Sequence, residues 1–155
     1  MEKFNKESLK SKRDINLIVI HCSATREGQD VKTETIKGWH VNERKWSDIG
    51  YHFVIELDGS IKIGRDINRT GSHAKGFNTG SIGICYVGGC TKDMKPKDTK
   101  TSEQNASLAA LLIHIYDIYG KVDVLGHCDL PRVKKACPSF NVFEFVKNVE
   151  SYLFQ

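Results

Sequence analysis

The sequence predicts a single α/β domain in which a central mixed β-sheet is flanked by helices. Apolar runs rich in Ile and Val, at residues 15–20 and 82–87, are typical of strands buried on both faces. They alternate with segments of helical periodicity in the order β, α, β-hairpin, β, α, β, α, which indicates helices packed on the faces of a sheet. A chain of 155 residues has the size of one domain with its own core.

Caps and periodicity predict the helices. Thr33 can cap a helix that runs to about Lys45. Thr101 and Gln104 have the spacing of a capping box, and Gly120 marks the end of the helix that follows. One face of that helix carries apolar residues at helical spacing: Leu108, Leu111, Leu112, Ile115 and Tyr119. The same spacing recurs in a last helix: Val142, Phe145, Val146, Val149 and Leu153.

The remaining strands are predicted to be short. Residues 51–57 alternate, Asp58 and Gly59 form a hairpin signal, and residues 60–64 are the returning strand. A strand at residues 122–125 ends next to His127. Residues 65–81 form a long loop, and loops of this length in compact domains are usually functional.

Charge is unevenly distributed along the chain. The net charge is +4, and residues 1–13 alone hold five basic and two acidic side chains. We therefore expect residues 1–14 to be a polar, solvated and partly disordered extension, and residues 15–155 to be the catalytic domain. Because the basic excess lies mostly in this extension, nucleic acid is not an expected partner.

The sequence has no apolar run of the roughly 18 residues needed to cross a bilayer, so no membrane insertion is expected. Its N-terminal residues lack the apolar segment of a signal peptide, which predicts synthesis in the cytoplasm. Five cysteines, an odd number, argue against a disulfide framework. Most should be small buried hydrophobic residues, and a functional one should act as a thiolate.

Two histidines at strand ends and one cysteine suggest a metal site. His21 and His127 each end a predicted strand, where ligands gather in α/β sheets, and Cys137 follows in the same loop as His127. Two imidazoles and a thiolate suit Zn²⁺, and three protein ligands leave the fourth position that a catalytic zinc needs. Lys135 could stabilise an oxyanion, and Tyr51 could hydrogen-bond the attacking water.

These residues also have ordinary interpretations. A histidine at a strand end can simply be hydrogen-bonded in the core, and Tyr51 can be a strand aromatic. Lys135 can be a solvated lysine, with Lys134 beside it as a rival for the catalytic role. On spacing alone the metal site therefore remains one of two interpretations.

Several short motifs, in one order along residues 15–150, are more specific. The chain resembles the type-2 zinc N-acetylmuramoyl-L-alanine amidases, a family that includes bacteriophage T7 lysozyme and shares its fold with the peptidoglycan recognition proteins. The motifs are Val19-Ile20-His21-Cys22-Ser23-Ala24-Thr25, Gly50-Tyr51-His52-Phe53, Gly64-Arg65-Asp66, Gly71-Ser72-His73-Ala74-Lys75-Gly76, Ser81-Ile82-Gly83, Val87-Gly88-Gly89 and Lys135-Ala136-Cys137-Pro138-Ser139-Phe140.

The resemblance implies roles for individual residues. His21, His127 and Cys137 match the zinc ligands, with one Zn²⁺ per chain. Tyr51 and Lys135 match the two catalytic residues. The loop that lines the substrate groove contains the expected substrate-binding residues: His73, Lys75 and Asn78. One departure is the segment from His127 to Cys137, which is two residues longer than in the phage enzyme and changes the expected shape of that rim.

The implied activity is hydrolysis of the amide between N-acetylmuramic acid and L-alanine in bacterial peptidoglycan. A monomer is expected, which reaches the cell wall after release through a holin or by lysis. A non-catalytic muropeptide-binding protein is an alternative, although non-catalytic relatives typically lack the cysteine that is present here as Cys137. A further alternative is restraint of a phage RNA polymerase, as T7 lysozyme does for its own phage.

Overall fold

A five-stranded sheet organises the chain. The structure is a computed structural model that describes residues 4–153. Within that range the strands are β1 (Leu17–Cys22), β2 (Thr25–Arg26), β3 (Phe53–Ile55), β4 (Ile61–Ile63), β5 (Ser81–Tyr86), β6 (Gly89–Cys90) and β7 (Asp123–Gly126). The α-helices are α1 (Thr33–Gly38), α2 (Ser102–Tyr119) and α3 (Val142–Leu153). The sheet order β4-β3-β5-β1-β7 confirms the predicted α/β domain, and β2 pairs with β6 apart from it.

Strand β1 lies between β5 and β7 and is parallel to both, whereas β4 runs antiparallel to β3. The sheet is therefore mixed, as predicted. In the register, His21 pairs with Cys85 of β5, and Ile20 pairs with Gly126 of β7. Because β1 and β7 are parallel neighbours, His21 and His127 reach the same edge of the sheet although 106 positions separate them.

The two faces of β1 have different roles. Ile18 and Ile20 are fully buried and pack in one cluster with the apolar residues of α2 and α3. Val19 points to the opposite face, where it packs with Ala74 and Leu130. Since side chains alternate along a strand, His21 lies on the face of Val19, away from α2 and α3.

The start of α1 differs from the prediction. Thr33 is not the N-cap: Lys32 occupies that position and makes no side-chain cap. Instead, Thr33 is buried, and its N–H and hydroxyl both donate to the Glu56 carboxylate at 2.9 and 2.7 Å. A distant carboxylate thus binds the first turn, and sequence-local cap rules do not detect such a contact. The α-helical hydrogen bonding ends at Gly38, earlier than predicted. A π-helical segment, Trp39–Glu43, then continues the helix towards the predicted end.

The other element predictions hold to within about two residues at each end. The Thr101–Gln104 capping box forms, and the N–H of Gly120, whose φ is +82°, donates to the Tyr116 carbonyl at the end of α2. Four of the five residues on its predicted face are completely buried: Leu108, Leu111, Leu112 and Ile115. Within residues 4–153, no helix is long and apolar enough to cross a bilayer.

The described part of the N-terminal extension is not solvated as expected. Leu9 is completely buried in the main core, and its carbonyl accepts a hydrogen bond from the Tyr119 hydroxyl. Arg13 donates to the carbonyls of Ile67 and Ser81 at 2.9 and 2.7 Å. The prediction failed because two apolar residues that pack on the core, Phe4 and Leu9, and the long reach of Arg13 are hidden within a mostly charged segment. Residues 1–3 lie outside the described range.

Candidate metal centre and active site

The three predicted ligands come together at the edge of the sheet. The ligand atoms of His21, His127 and Cys137 all lie within 4.8 Å of one another. The rings of His21 and His127 are 4.6 Å apart between centroids. His21 is 1% exposed, whereas the other two residues are half-buried, so the group opens to solvent on one side.

Each ligand comes from a different kind of element. His21 is the penultimate residue of β1, and His127 starts a 3₁₀ turn, His127–Asp129, directly after β7. Cys137 directly follows a loop, residues 128–136, which we call the rim loop. The backbone N–H of Cys22 donates to the Cys137 sulfur at 3.2 Å, and the N–H of Cys128 donates to the Cys137 carbonyl at 2.8 Å. The rim loop is thus fixed at the position of its ligand.

A chain of hydrogen bonds sets the orientation of the His21 ring. The Ser81 hydroxyl lies 3.1 Å from both the Asn78 carbonyl oxygen and His73 Nε2. When its single proton is donated to the carbonyl, the hydroxyl accepts from His73 Nε2. The neutral His73 ring then carries its proton on Nε2, and its Nδ1 accepts from His21 Nε2 at 2.9 Å. The remaining nitrogen of His21, Nδ1, keeps its lone pair for a metal.

Electrostatics keep these imidazoles neutral. Burial, followed by the neighbouring His73 and His127, lowers the pKa of His21 well below its usual value. Burial is also the main cause that lowers the pKa of His73 to about 3. The pKa of His127 is lowered by burial and by the nearby Lys135 ammonium. Neutral imidazoles are the form that binds a metal ion.

The cysteine completes a donor set that fits Zn²⁺. Hydrogen bonding with the Cys22 sulfur, followed by burial, raises the pKa of the Cys137 thiol. A bound divalent cation reverses this preference, because a coordinating thiol is deprotonated. Two imidazoles and one sulfur are ligands that Zn²⁺ takes in catalytic sites, whereas Mg²⁺ and Ca²⁺ prefer oxygen.

Tyr51 and Lys135 border the open side of this group. A cavity of about 190 Å³ is lined by both residues together with the three ligands. The Tyr51 ring lies 5.0 Å from the His21 ring between centroids. Burial raises the pKa of Tyr51 well above its usual value, so its phenol keeps its proton and can donate a hydrogen bond. Lys135 is exposed at the mouth of the cavity.

The three predicted substrate-binding residues lie in different environments. Lys75 is exposed beside the metal centre. The Asn78 side-chain oxygen accepts from the backbone N–H groups of His73 and Ala74, both at 2.9 Å, so it stabilises its own loop. The His73 ring is occupied by His21 and Ser81. Contact of these residues with substrate stays a prediction.

Ser81 and Gly83 are site residues that sequence reasoning missed. A Cβ on Gly83 would lie 2.6 Å from the His73 ring, so glycine leaves the space that the ring occupies. Ser81 holds the far nitrogen of the same ring. Both residues belong to the Ser81-Ile82-Gly83 motif, and their position on the His21 face of β5 is the signal that could have identified them. We call His21, Tyr51, His73 and Ser81 the sheet wall of the site.

Known proteins are similar in sequence to this chain along most of its length. The endolysin of Enterobacteria phage K11 is 38% identical over 139 residues, which cover 90% of each chain. The endolysin of Escherichia phage T7 is 41% identical over 133 residues, 86% of each chain. Peptidoglycan-recognition protein SC2 of Drosophila melanogaster is 29% identical and covers 82% of this chain and 66% of its own length.

A solved structure and a family model agree with these relatives. The endolysin amidase LysCS of Clostridium intestinale superposes with a TM-score of 0.75 at 31% identity and covers 89% of this chain and 85% of its own. The family model described as N-acetylmuramoyl-L-alanine amidase matches residues 11–140, a range that contains every residue of the site. The chain therefore belongs to the N-acetylmuramoyl-L-alanine amidase family of enzymes.

Proposed function

We propose that this protein is a zinc-dependent endolysin that hydrolyses the amide between N-acetylmuramic acid and L-alanine in peptidoglycan. The observation that carries the proposal is the group of His21, His127 and Cys137, with Tyr51 and Lys135 on its open side. A structural zinc site would be closed by a fourth protein ligand. Among the described residues, the metal-ligand group consists of these three alone.

The residues around the group have separate tasks in this reaction. Zn²⁺ held by the three ligands would activate water and polarise the scissile carbonyl. The protonated Tyr51 phenol orients the attacking water through a hydrogen bond. The Lys135 ammonium stabilises the negative charge that develops on the carbonyl oxygen. Lys135 reaches this position because it precedes the ligand Cys137 by two residues on the rim loop.

We assign His73 a positioning role in addition to its predicted place in the groove. Its Nδ1 lies 2.9 Å from His21 Nε2, and a hydrogen bond from His21 Nε2 to this atom leaves the lone pair of His21 Nδ1 available for the metal. Partners of this kind fix the tautomer and the ring orientation of metal-binding histidines. Ser81 forms a hydrogen bond with the other nitrogen of the His73 ring. Three residues of the sheet wall, His21, His73 and Ser81, are thus connected by hydrogen bonds.

The place of action follows from the relatives and from the proposed substrate. The phage relatives are named endolysins, and an enzyme of that kind must reach the cell wall. We propose that this protein does so after release through a holin-type opening or by lysis. The predicted restraint of a phage RNA polymerase has no support among the described residues and stays a prediction.

Digestion of purified cell wall tests the proposal. The wild-type protein should release new N-terminal alanine, contain one zinc per chain, and lose activity in a strong chelator. The His21→Ala variant should contain no zinc and release no alanine. Activity that survives both the chelator and this substitution would refute the proposal. Tight muropeptide binding without zinc or cleavage would instead support the alternative of a non-catalytic binding protein.

A further inference from the structure

A second, larger cleft adjoins the metal centre. It has a volume of about 630 Å³ and shares His127 with the metal site. Residues of two tight turns line it. One is Ala74-Lys75-Gly76-Phe77, in which the Phe77 N–H donates to the Ala74 carbonyl at 2.8 Å. The other is Leu130-Pro131-Arg132-Val133, in which the Val133 N–H donates to the Leu130 carbonyl at 3.3 Å.

The two turns have the same design. Their first and last residues pack together in one apolar cluster with Val19 of β1: Ala74, Phe77, Leu130 and Val133. Their central residues project outwards and include one cation each, Lys75 and Arg132, both exposed. The cleft therefore combines an apolar lining with two exposed cations, one from each turn.

Neither cation is used by the fold. Within residues 4–153, Lys75 and Arg132 form no ion pair and donate no side-chain hydrogen bond. Arg132 also has a φ of +68°, in the left-handed region that favours glycine, whereas the equivalent position in the other turn is Gly76 with a φ of +84°. The chain thus places an arginine where glycine would be less strained, and such strain is typical of functional positions.

Another cavity adjoins the metal site at Tyr51 and has a different lining. A smaller cavity of about 200 Å³, next to Tyr51, is lined by Trp39, His40 and Glu43 among others. Its lining combines the aromatic rings of Trp39 and Tyr51 with the charged side chains of Glu43 and Arg44, and aromatic faces beside hydrogen-bonding side chains suit a sugar ring. The apolar lining and paired cations beside His127 suit a short peptide that carries methyl groups and carboxylates.

We propose that the cleft between the two turns binds the peptide half of the substrate, and that Lys75 and Arg132 select stem peptides with a free carboxylate. This inference rests on the proposed function. It assigns a direction to the substrate: the peptide extends past His127 towards the rim loop, and the sugar lies on the Tyr51 side. Arg132 lies in the segment from His127 to Cys137, which is predicted to be two residues longer than in the phage enzyme, so we expect this selectivity to depend on this chain's own loop.

Two muramoyl tripeptides that differ in one group test the proposal. In one, the second residue has a free α-carboxylate, and in the other this group is the amide. The wild-type enzyme should have a kcat/KM about tenfold higher for the free acid, because a charge-assisted hydrogen bond is lost in the amide. This ratio should fall as salt rises, since both cations are exposed. Equal rates for the two substrates would overturn the proposal while leaving the amidase function intact, and cleavage of neither would refute the proposed function instead.

Variants of the two turns locate the effect. The Lys75→Gln/Arg132→Gln double variant should bring the ratio close to one. The matched control is Lys134→Gln, which removes the same charge from the same loop at a residue that does not line the cleft, and it should keep the wild-type ratio. An unchanged ratio in the double variant would overturn the proposal.

Arg132→Gly separates selectivity from folding. Glycine relieves the backbone strain at this position, so the melting temperature should stay the same or rise while the ratio falls. A lower melting temperature together with a lower ratio would show that Arg132 acts through the fold, and would count against a direct contact with substrate.

Discussion

The sheet wall and the rim loop build the two sides of the same site by different physical means. In the sheet wall, a hydrogen bond of 2.9 Å joins His21 Nε2 to His73 Nδ1, and one of 3.1 Å joins His73 Nε2 to the Ser81 hydroxyl. His21 and Ser81 are strand residues, and the His73 ring lies against Gly83 of β5. In the rim loop, Arg132, Lys134 and Lys135 are exposed and form no ion pair among the described residues.

This difference indicates a division of labour. Groups that must hold a metal in a fixed geometry benefit from a buried, fully bonded environment, where each ring has a single orientation. Groups that meet a charged substrate benefit from free donors at the surface. We therefore expect substitutions of His21, His73 and Ser81 in the sheet wall to change metal retention, and substitutions of the rim-loop cations to change turnover while the metal stays bound.

The largest effect is expected from His21→Ala, which removes a ligand from the sheet wall. Zinc content should fall from one per chain to near zero. Activity on cell wall should fall by about 10³-fold or more, because metal activation contributes several kcal/mol. Zinc analysis and release of N-terminal alanine measure the two effects. A variant that retains full zinc content would contradict the assignment of His21.

Lys135→Met should lower kcat by about 10²–10³-fold, the usual loss when one oxyanion donor is removed. Zinc content should stay at one per chain, since Lys135 is exposed and is not a ligand. Lys134→Met is the matched control and decides between the neighbouring lysines. If Lys134→Met shows the larger loss, the catalytic cation is Lys134.

His73→Ala should lower zinc affinity by about 10–100-fold, because His21 loses the partner that fixes its tautomer. Competition with a chromogenic chelator measures the affinity directly, independent of activity. Ser81→Ala should show a smaller loss in the same direction, since it removes only the support of His73. His114→Ala, on α2 and outside the metal-ligand group, should leave the affinity unchanged.

The smallest expected effect is a loss of folding stability as the pH falls. Burial lowers the pKa of His52 from 6.5 to about 4, and the ring accepts from the Gly83 N–H at 3.0 Å. The unfolded chain binds a proton at His52 more readily than the folded chain does. The contribution of neutral His52 to the free energy of unfolding is therefore complete above pH 6.5 and is lost as pH falls towards 4. The loss should reach about 2 kcal/mol between pH 7 and pH 4.5.

Urea unfolding at these two pH values measures this loss. The His52→Gln variant should be less stable at pH 7 but should show a shallower decline. Metal-free protein is the required control, since zinc release in acid would also destabilise the fold. An equal decline in the variant and the wild type would show that other groups, such as His40, whose pKa is also about 4, account for it.

The fold and the grouping of His21, His127 and Cys137 could be predicted because their signals are local or repeated. Strand β1 shows as a continuous apolar run, and α2 shows a capping box, one apolar face and a terminal Gly120. His21 and His127 follow strands directly, so the rule that parallel strands end at one edge brings them together before any coordinates are known. The motifs around them then indicated the family.

Contacts between distant segments could be read only from the tertiary structure. Glu56 binds the first turn of α1 from 23 positions away, and Arg13 reaches carbonyls 54 and 68 positions along the chain. The tautomer of His21 depends on His73 and Ser81, which lie in a different part of the sequence. A residue's own neighbours carry no information about such partners.

The sequence by itself determined that two strands each end at a histidine, because periodicity and composition are written along the chain. Only the tertiary structure decided how each ring is held, and which exposed cations face a cleft. Those properties depend on which side chains approach within about 3 Å after folding, and that distance is set by packing across the whole molecule.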